Sequence, residues 1–171
     1  KYEHFIYVND QACPEYEGLT EEVILGRVKK NVSFLLSHNV KLIIVVSNTI
    51  LEYCYDYFNE INVPVINIMD IITAYVNDKY EHRNMVLLAN ENITNANLYQ
   101  KRLRYNHIYT LVSNKLDALI IDNKCKMQIS FDSTKEVFKS VMKKDVDVII
   151  PTTFNLLLLN TEIKEYMRET E

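Results

Sequence analysis

Glycine is nearly absent from this chain. Gly18 and Gly26 are the only two in 171 residues, where average usage would give about twelve. Phosphate loops of the Walker and Rossmann kinds need several glycines for close backbone approach, so both are excluded. Cysteine is scarce too. Cys13, Cys54 and Cys125 are odd in number and lack the spacing of a disulfide framework or a zinc site. His4, His38, His82 and His107 are scattered, so no metal site is expected. No apolar run approaches the roughly 18 residues that span a bilayer, and no membrane association is expected. The first residues, Lys-Tyr-Glu-His, carry no basic-then-apolar leader and no Met, which leaves trimming open; the lack of a disulfide framework makes a reducing cytoplasm the default location. A net charge of −4 argues against a dedicated nucleic-acid binder.

What the chain does have is 48% hydrophobic and 25% charged residues, the balance of an ordinary globular protein. It also has 18 asparagines and 12 tyrosines. Asparagine tolerates left-handed backbone positions and so can stand where glycine is missing.

Short apolar runs recur along the chain. Phe5–Val8, Leu42–Val46, Val63–Ile68, Met85–Ala89, His107–Val112 and Val146–Ile150 read as strands. Leu42–Val46 is apolar throughout, which predicts burial on both faces of a parallel sheet. Pro64 fits a strand start. Helical patterns fall between them: 21–37, with Val23, Ile24, Val28, Val32, Leu35 and Leu36 on one face, then 49–59, 70–77, 92–104 and 133–144, and a stretch from 154 to 167 that begins apolar and ends charged. Thr20, with Gly18 before it, suits the first helix start. Residues 115–121 fit either state. Strands alternating with helices predict an α/β fold with mainly parallel sheets. The polar stretch 70–83 suggests two lobes, 1–75 and 76–171.

In open α/β sheets, ligands bind beyond the carboxyl ends of strands. Three such ends are polar here: Asn9-Asp10-Gln11, Ser47-Asn48-Thr49 and Thr152-Thr153. Each alone reads as helix capping. Together they point to a polar pocket.

These segments carry a resemblance. Tyr7-Val8-Asn9-Asp10-Gln11 with Glu15-Tyr16-Glu17, Val46-Ser47-Asn48-Thr49, Pro64-Val65-Ile66-Asn67-Ile68, Val86-Leu-Leu-Ala-Asn with Tyr99-Gln100-Lys101, and Val148-Ile-Ile-Pro-Thr-Thr-Phe-Asn-Leu-Leu resemble, in order, the YFGDT…PYG, ACNT, PVIGV, GVIGT…SGAYQ and LILGCTHYPLL segments of glutamate racemases, in the aspartate/glutamate racemase superfamily. The resemblance runs from about Phe5 to Leu159 and implies that superfamily's two-lobed α/β fold. Family chemistry is cofactor-independent: one cysteine thiolate removes the α-proton of an acidic amino acid and a second cysteine returns a proton on the other face. The positions matching the two cysteines are Ser47 and Thr152, 105 residues apart. Asp10, Tyr16, Asn48, Thr49 and Thr153 match residues that hold the substrate's carboxylates and amine.

The departures are chemical. A thiol with pKa near 8.5 can be tuned to a thiolate at neutral pH, and an alcohol is a far weaker acid. The family's histidine after the second cysteine matches Phe154, and its glycines match Glu17, Ala89 and Pro151, whose side chains crowd a site built for close approach. The family's first strand would precede Lys1, and its C-terminal segment would follow Glu171, so the first lobe is expected to be incomplete. The resemblance therefore implies a degenerate racemase without catalysis, kept for binding an acidic amino acid or for a place in a protein assembly. An active cofactor-independent glutamate or aspartate racemase, or a related isomerase, is the alternative. Ribosome or nucleic-acid association, suggested by Lys101-Arg102-Leu103-Arg104 and Lys139…Lys143-Lys144, is the minor one. For the polar residues, capping and ligand binding both stay open. The aromatic cluster Tyr53, Tyr55, Tyr57 and Phe58 reads either as core or as an interface.

Overall fold

A computed structural model describes residues 3–10, 16 and 19–169. Gln11, Cys13, Glu15, Glu17 and Gly18 lie outside them. The chain forms two compact units, one ending at Ile71 and the other beginning at Ile72. Both are α/β with parallel strands, as the alternation of patterns predicts.

The first unit opens with α1 (Glu21–Ser37). Thr20 caps it, its hydroxyl accepting from the Val23 N–H, and Glu21 and Glu22 complement the positive end of the helix dipole. Ile24, Val28 and Val32 are its buried stripe, while Val23 and Leu36 stay exposed. Strand β1 (Ile43–Val45), helix α2 (Asn48–Phe58), strand β2 (Val65–Asn67) and the start of helix α3 (Ile68–Lys79) follow. The two strands pair in parallel, Ile44 beside Ile66.

Two expectations fail in this unit. Phe5–Val8 joins no ladder among the described residues, with Phe5 87% and Tyr7 83% exposed. A strand exists only through a neighbour's hydrogen bonds, and apolar sequence alone supplies none. Leu42–Val46 is buried on one face only. Ile43 and Val45 are buried, while Leu42, Ile44, Val46 and Ile66 are exposed, because no described element covers that side.

The second unit is more fully built. Strand β3 (Asn84–Ala89) lies between β4 (His107–Val112) and β5 (Val148–Pro151), all parallel. Central position explains why Met85 through Ala89 are wholly buried. Between β3 and β4 the expected single helix is two, α4 (Glu91–Ala96) and α5 (Leu98–Arg102). They break at Asn97, which adopts φ 57°. The ambiguous 115–121 stretch is helix α6 (Asn114–Ile121). Helix α7 spans Gln128–Phe138, starting five residues earlier than its apolar pattern suggests, because Ser130, Ser133 and Thr134 are core-facing polar residues. After β5, a 3-10 turn (Phe154–Leu159) leads into α8 (Asn160–Glu169).

The scarcity of glycine has a visible consequence. Among the described residues seven non-glycines have positive φ: Asn39, His82, Asn97, Tyr105, Asn123, Lys126 and Asp145. Three are asparagine, the residue that best tolerates the region after glycine.

Candidate functional site

Ser47 ends the chain's run out of β1 and starts α2. Its hydroxyl accepts a hydrogen bond from the Ile50 N–H at 3.3 Å, and its carbonyl accepts from the Leu51 N–H. It is therefore the N-cap of α2, the role that a small oxygen-bearing side chain plays at a helix start. Asn48 and Thr49 are half-buried in the first turn of the same helix. Asp10 is engaged by Arg27 of α1, whose Nη1 donates to Oδ2 at 2.8 Å. Tyr16 is half-buried, and its carbonyl accepts from the Leu19 N–H ahead of α1.

The only described thiol in this unit is Cys54, in α2. It is buried among the core residues of the unit. Burial, with Glu21 adding to it against an opposing pull from Lys29, pushes the thiol up to about 11. At neutral pH it is a neutral core side chain rather than a thiolate. Glu52 of the same helix escaped the sequence reading. It is half-buried, and one carboxylate oxygen is buried without a hydrogen-bond partner. Burial raises its carboxyl's pKa, and a hydrogen bond from Tyr53 partly offsets this. A lone Glu inside an aromatic helix gives no periodic signal that could have singled it out. Of the aromatic cluster, Phe58 is buried, the Tyr55 hydroxyl donates to Asp70, Lys29 lies over the Tyr57 ring, and Tyr53 is half-buried.

In the second unit Thr152 follows β5 and is 2% exposed. Its N–H donates to the Leu88 carbonyl of β3 at 3.0 Å. On the other side of β3, the Ser113 N–H donates to the Ala89 carbonyl at 2.7 Å, and the Ser113 hydroxyl donates to Asp117. Thr152 and Ser113 thus flank the carboxyl end of the central strand. Sequence reasoning missed Ser113, since the state of the helix after it was ambiguous. Asn90 caps α4 through the Ile93 N–H, and Asn114 accepts from the Glu91 N–H, tying two of the strand-end turns together. Thr153 differs from Ser47. It makes no capping bond, and its buried Oγ1 has no hydrogen-bond partner. Gln100 likewise has a buried carbonyl oxygen without a partner. Phe154 is exposed.

The chemistry available at these ends is polar contact and hydrogen bonding. Among the described residues no group of three or more His, Cys, Asp or Glu is placed to hold a metal ion, and no helix is long and apolar enough to cross a membrane.

Comparison with known proteins adds the family context. No protein-family model matches the chain. Glutamate racemase of Hydrogenobaculum is 24% identical over 171 residues, covering 95% of this chain and 64% of the relative. That of Lactobacillus acidophilus is 23% identical, with 99% and 65% covered. The chain therefore spans just under two thirds of the length of the curated relatives it matches. Among solved structures, glutamate racemase from Aquifex pyrophilus superposes with a TM-score of 0.80 at 20% identity, covering 95% of this chain and 65% of that one. The enzyme from Francisella tularensis, solved in complex with D-glutamate, superposes with 0.79 at 19%, covering 93% and 62%. At these identities the superpositions establish the fold, that of the aspartate/glutamate racemases.

Proposed function

We propose that this glutamate racemase-like chain binds an acidic amino acid without racemising it, and serves as a binding or assembly component. The observation that carries the reading is the Ser47 hydroxyl, which is bound as a helix cap at a position that the resemblance matches to a family thiol. Thr152, at the second such position, also has an alcohol, and neither group ionises near neutral pH. General acid–base catalysis requires a pKa near the working pH. Cys54 does not substitute, because its thiol is buried and pushed up to about 11.

The binding half of the proposal rests on Thr153, whose buried hydroxyl has no partner and is not a cap. An unsatisfied buried hydroxyl costs about 1–3 kcal/mol, and a ligand's carboxylate would remove that cost. In the first unit, Asp10, Tyr16, Asn48 and Thr49 are the positions that the resemblance proposes for ligand contact. D-Glutamate is the natural probe, since the Francisella enzyme was solved with it.

The test follows the α-proton of L- and D-glutamate and L- and D-aspartate by NMR in deuterated buffer, alongside calorimetric titration of D-glutamate. The expected result is no exchange above buffer, with saturable binding that weakens in Thr153→Val. Exchange that disappears in Ser47→Ala would establish the active racemase instead. Absence of saturable binding would remove the ligand from the proposal.

A further inference from the structure

The second unit holds a groove that the residues above do not use. One wall is β5 with the segment before it, contributing Val146 and Ile149; the other is α8, contributing Ile163 and Met167. The groove encloses about 400 Å³, within the ordinary size range of small-molecule sites. These four apolar side chains are half-buried and continue the unit's hydrophobic core outward. Val146 precedes β5, so the groove opens toward the amino end of that strand, whereas Thr152 and Thr153 follow its carboxyl end.

Its charges are unevenly satisfied. Asp147 at the rim is already held: one oxygen accepts from the Asn84 N–H at 2.9 Å and the other from Arg83. Lys164 and Arg168 also line the groove, and no ion-pair partner is recorded for either among the described residues. They sit four residues apart on one helix, where like charges repel. Glu162, on the buried side of the same helix, takes the Lys126 N–H and the Ser130 hydroxyl on one carboxylate oxygen, and its other oxygen is buried without a hydrogen-bond partner. Two cations without an ion pair among the described residues thus border an apolar floor, and one already-paired carboxylate, Asp147, stands at the rim.

We propose that this groove binds a small carboxylate amphiphile, its head held between Lys164 and Arg168 and its apolar body laid on Val146, Ile149, Ile163 and Met167. The guanidinium fork matches a carboxylate in two-point fashion. A monoanion suits the site better than a dianion because Asp147 lies at the rim. The site is independent of the proposed amino-acid ligand.

The test uses the full 171-residue chain, isotopically labelled, titrated with octanoate and separately with 1-octanol while amide shifts are followed. Octanoate is expected to give saturable shifts centred on Val146, Ile149, Ile163 and Met167. The alcohol is expected to bind at least tenfold more weakly. The double variant Lys164→Glu/Arg168→Glu changes exposed side chains and should keep the fold, as its unaltered spectrum elsewhere would show, while losing at least tenfold in octanoate affinity. Equal binding of the alcohol, shifts centred elsewhere, or a charge-reversed variant that binds octanoate as before would each overturn the proposal.

Discussion

At Ser47 and Thr153 two similar side chains sit after two strands and do different things. Ser47 satisfies a helix N–H; Thr153 satisfies nothing recorded. The difference is measurable. Ser47→Ala should cost about 1 kcal/mol, the usual worth of an N-cap. Thr153→Val keeps the shape and removes an unsatisfied oxygen, so it should leave stability unchanged or raise it. Urea denaturation of both variants checks this, and equal losses would contradict the assignment. The two described cysteines should separate as well. Cys54 is buried with its thiol pushed up to about 11, while Cys125 is partly exposed. Iodoacetamide at pH 8 should therefore modify Cys125 well before Cys54, read by peptide mass spectrometry over time. None of these distinctions was legible in the sequence. Alcohol side chains at strand ends look alike until hydrogen bonds are assigned, and Cys54 differs from Cys125 only through its neighbours.

Elements were legible where pattern and neighbour agreed. Strand β3 reads as a continuous apolar run and lies at the sheet centre, and α1 shows its cap, its acidic first turn and its buried stripe. Legibility failed where the partner mattered more than the run. Phe5–Val8 has strand composition and no ladder, and Leu42–Val46 has two apolar faces and one covering. It also failed where polar residues face inward, as Ser130 and Thr134 do in α7. The Glu162 carboxylate of α8 explains part of that: it accepts from the Lys126 N–H at 2.5 Å and the Ser130 hydroxyl at 2.8 Å, holding the start of α7. Glu162→Ala would take the acceptor from the Lys126 N–H, while the Ser130 hydroxyl keeps the Met127 carbonyl, and should cost about 1–3 kcal/mol by urea denaturation. The one-sided β1 gives a paired prediction. Ile44→Lys, on the open face, should change stability by under about 1 kcal/mol, whereas Val45→Lys should cost several, since it buries a charge. Thermal denaturation of the pair tests the face assignment, and equal losses would mean that something covers Ile44.

For the molecule as a whole, alkaline pH should be the destabilising direction. Cys54 and Tyr57 in the first unit and Tyr166 in the second all have pKa values raised, chiefly by burial. The Tyr166 hydroxyl also donates to the Phe138 carbonyl at 3.1 Å, a bond that only the neutral phenol can make. A raised value means that the folded state keeps its proton at pH values where the unfolded state has lost it. The unfolded state then binds fewer protons, so unfolding free energy falls as pH rises. For Cys54 the window opens near the ordinary thiol value of 9 and closes near 11; for the tyrosines it opens near 10. Below pH 9 these groups are protonated in both states, and stability should be flat with respect to them. The urea midpoint measured from pH 8 to 11.5 should therefore hold and then fall. General charge repulsion would produce a fall too, since the chain is already acidic. The variant Cys54→Ala/Tyr166→Phe separates the causes, because it removes two of the three titrations and leaves the growing net charge almost untouched. Its midpoint should fall less between pH 9 and 11 than that of the parent chain; a parallel fall would assign the effect to net charge instead.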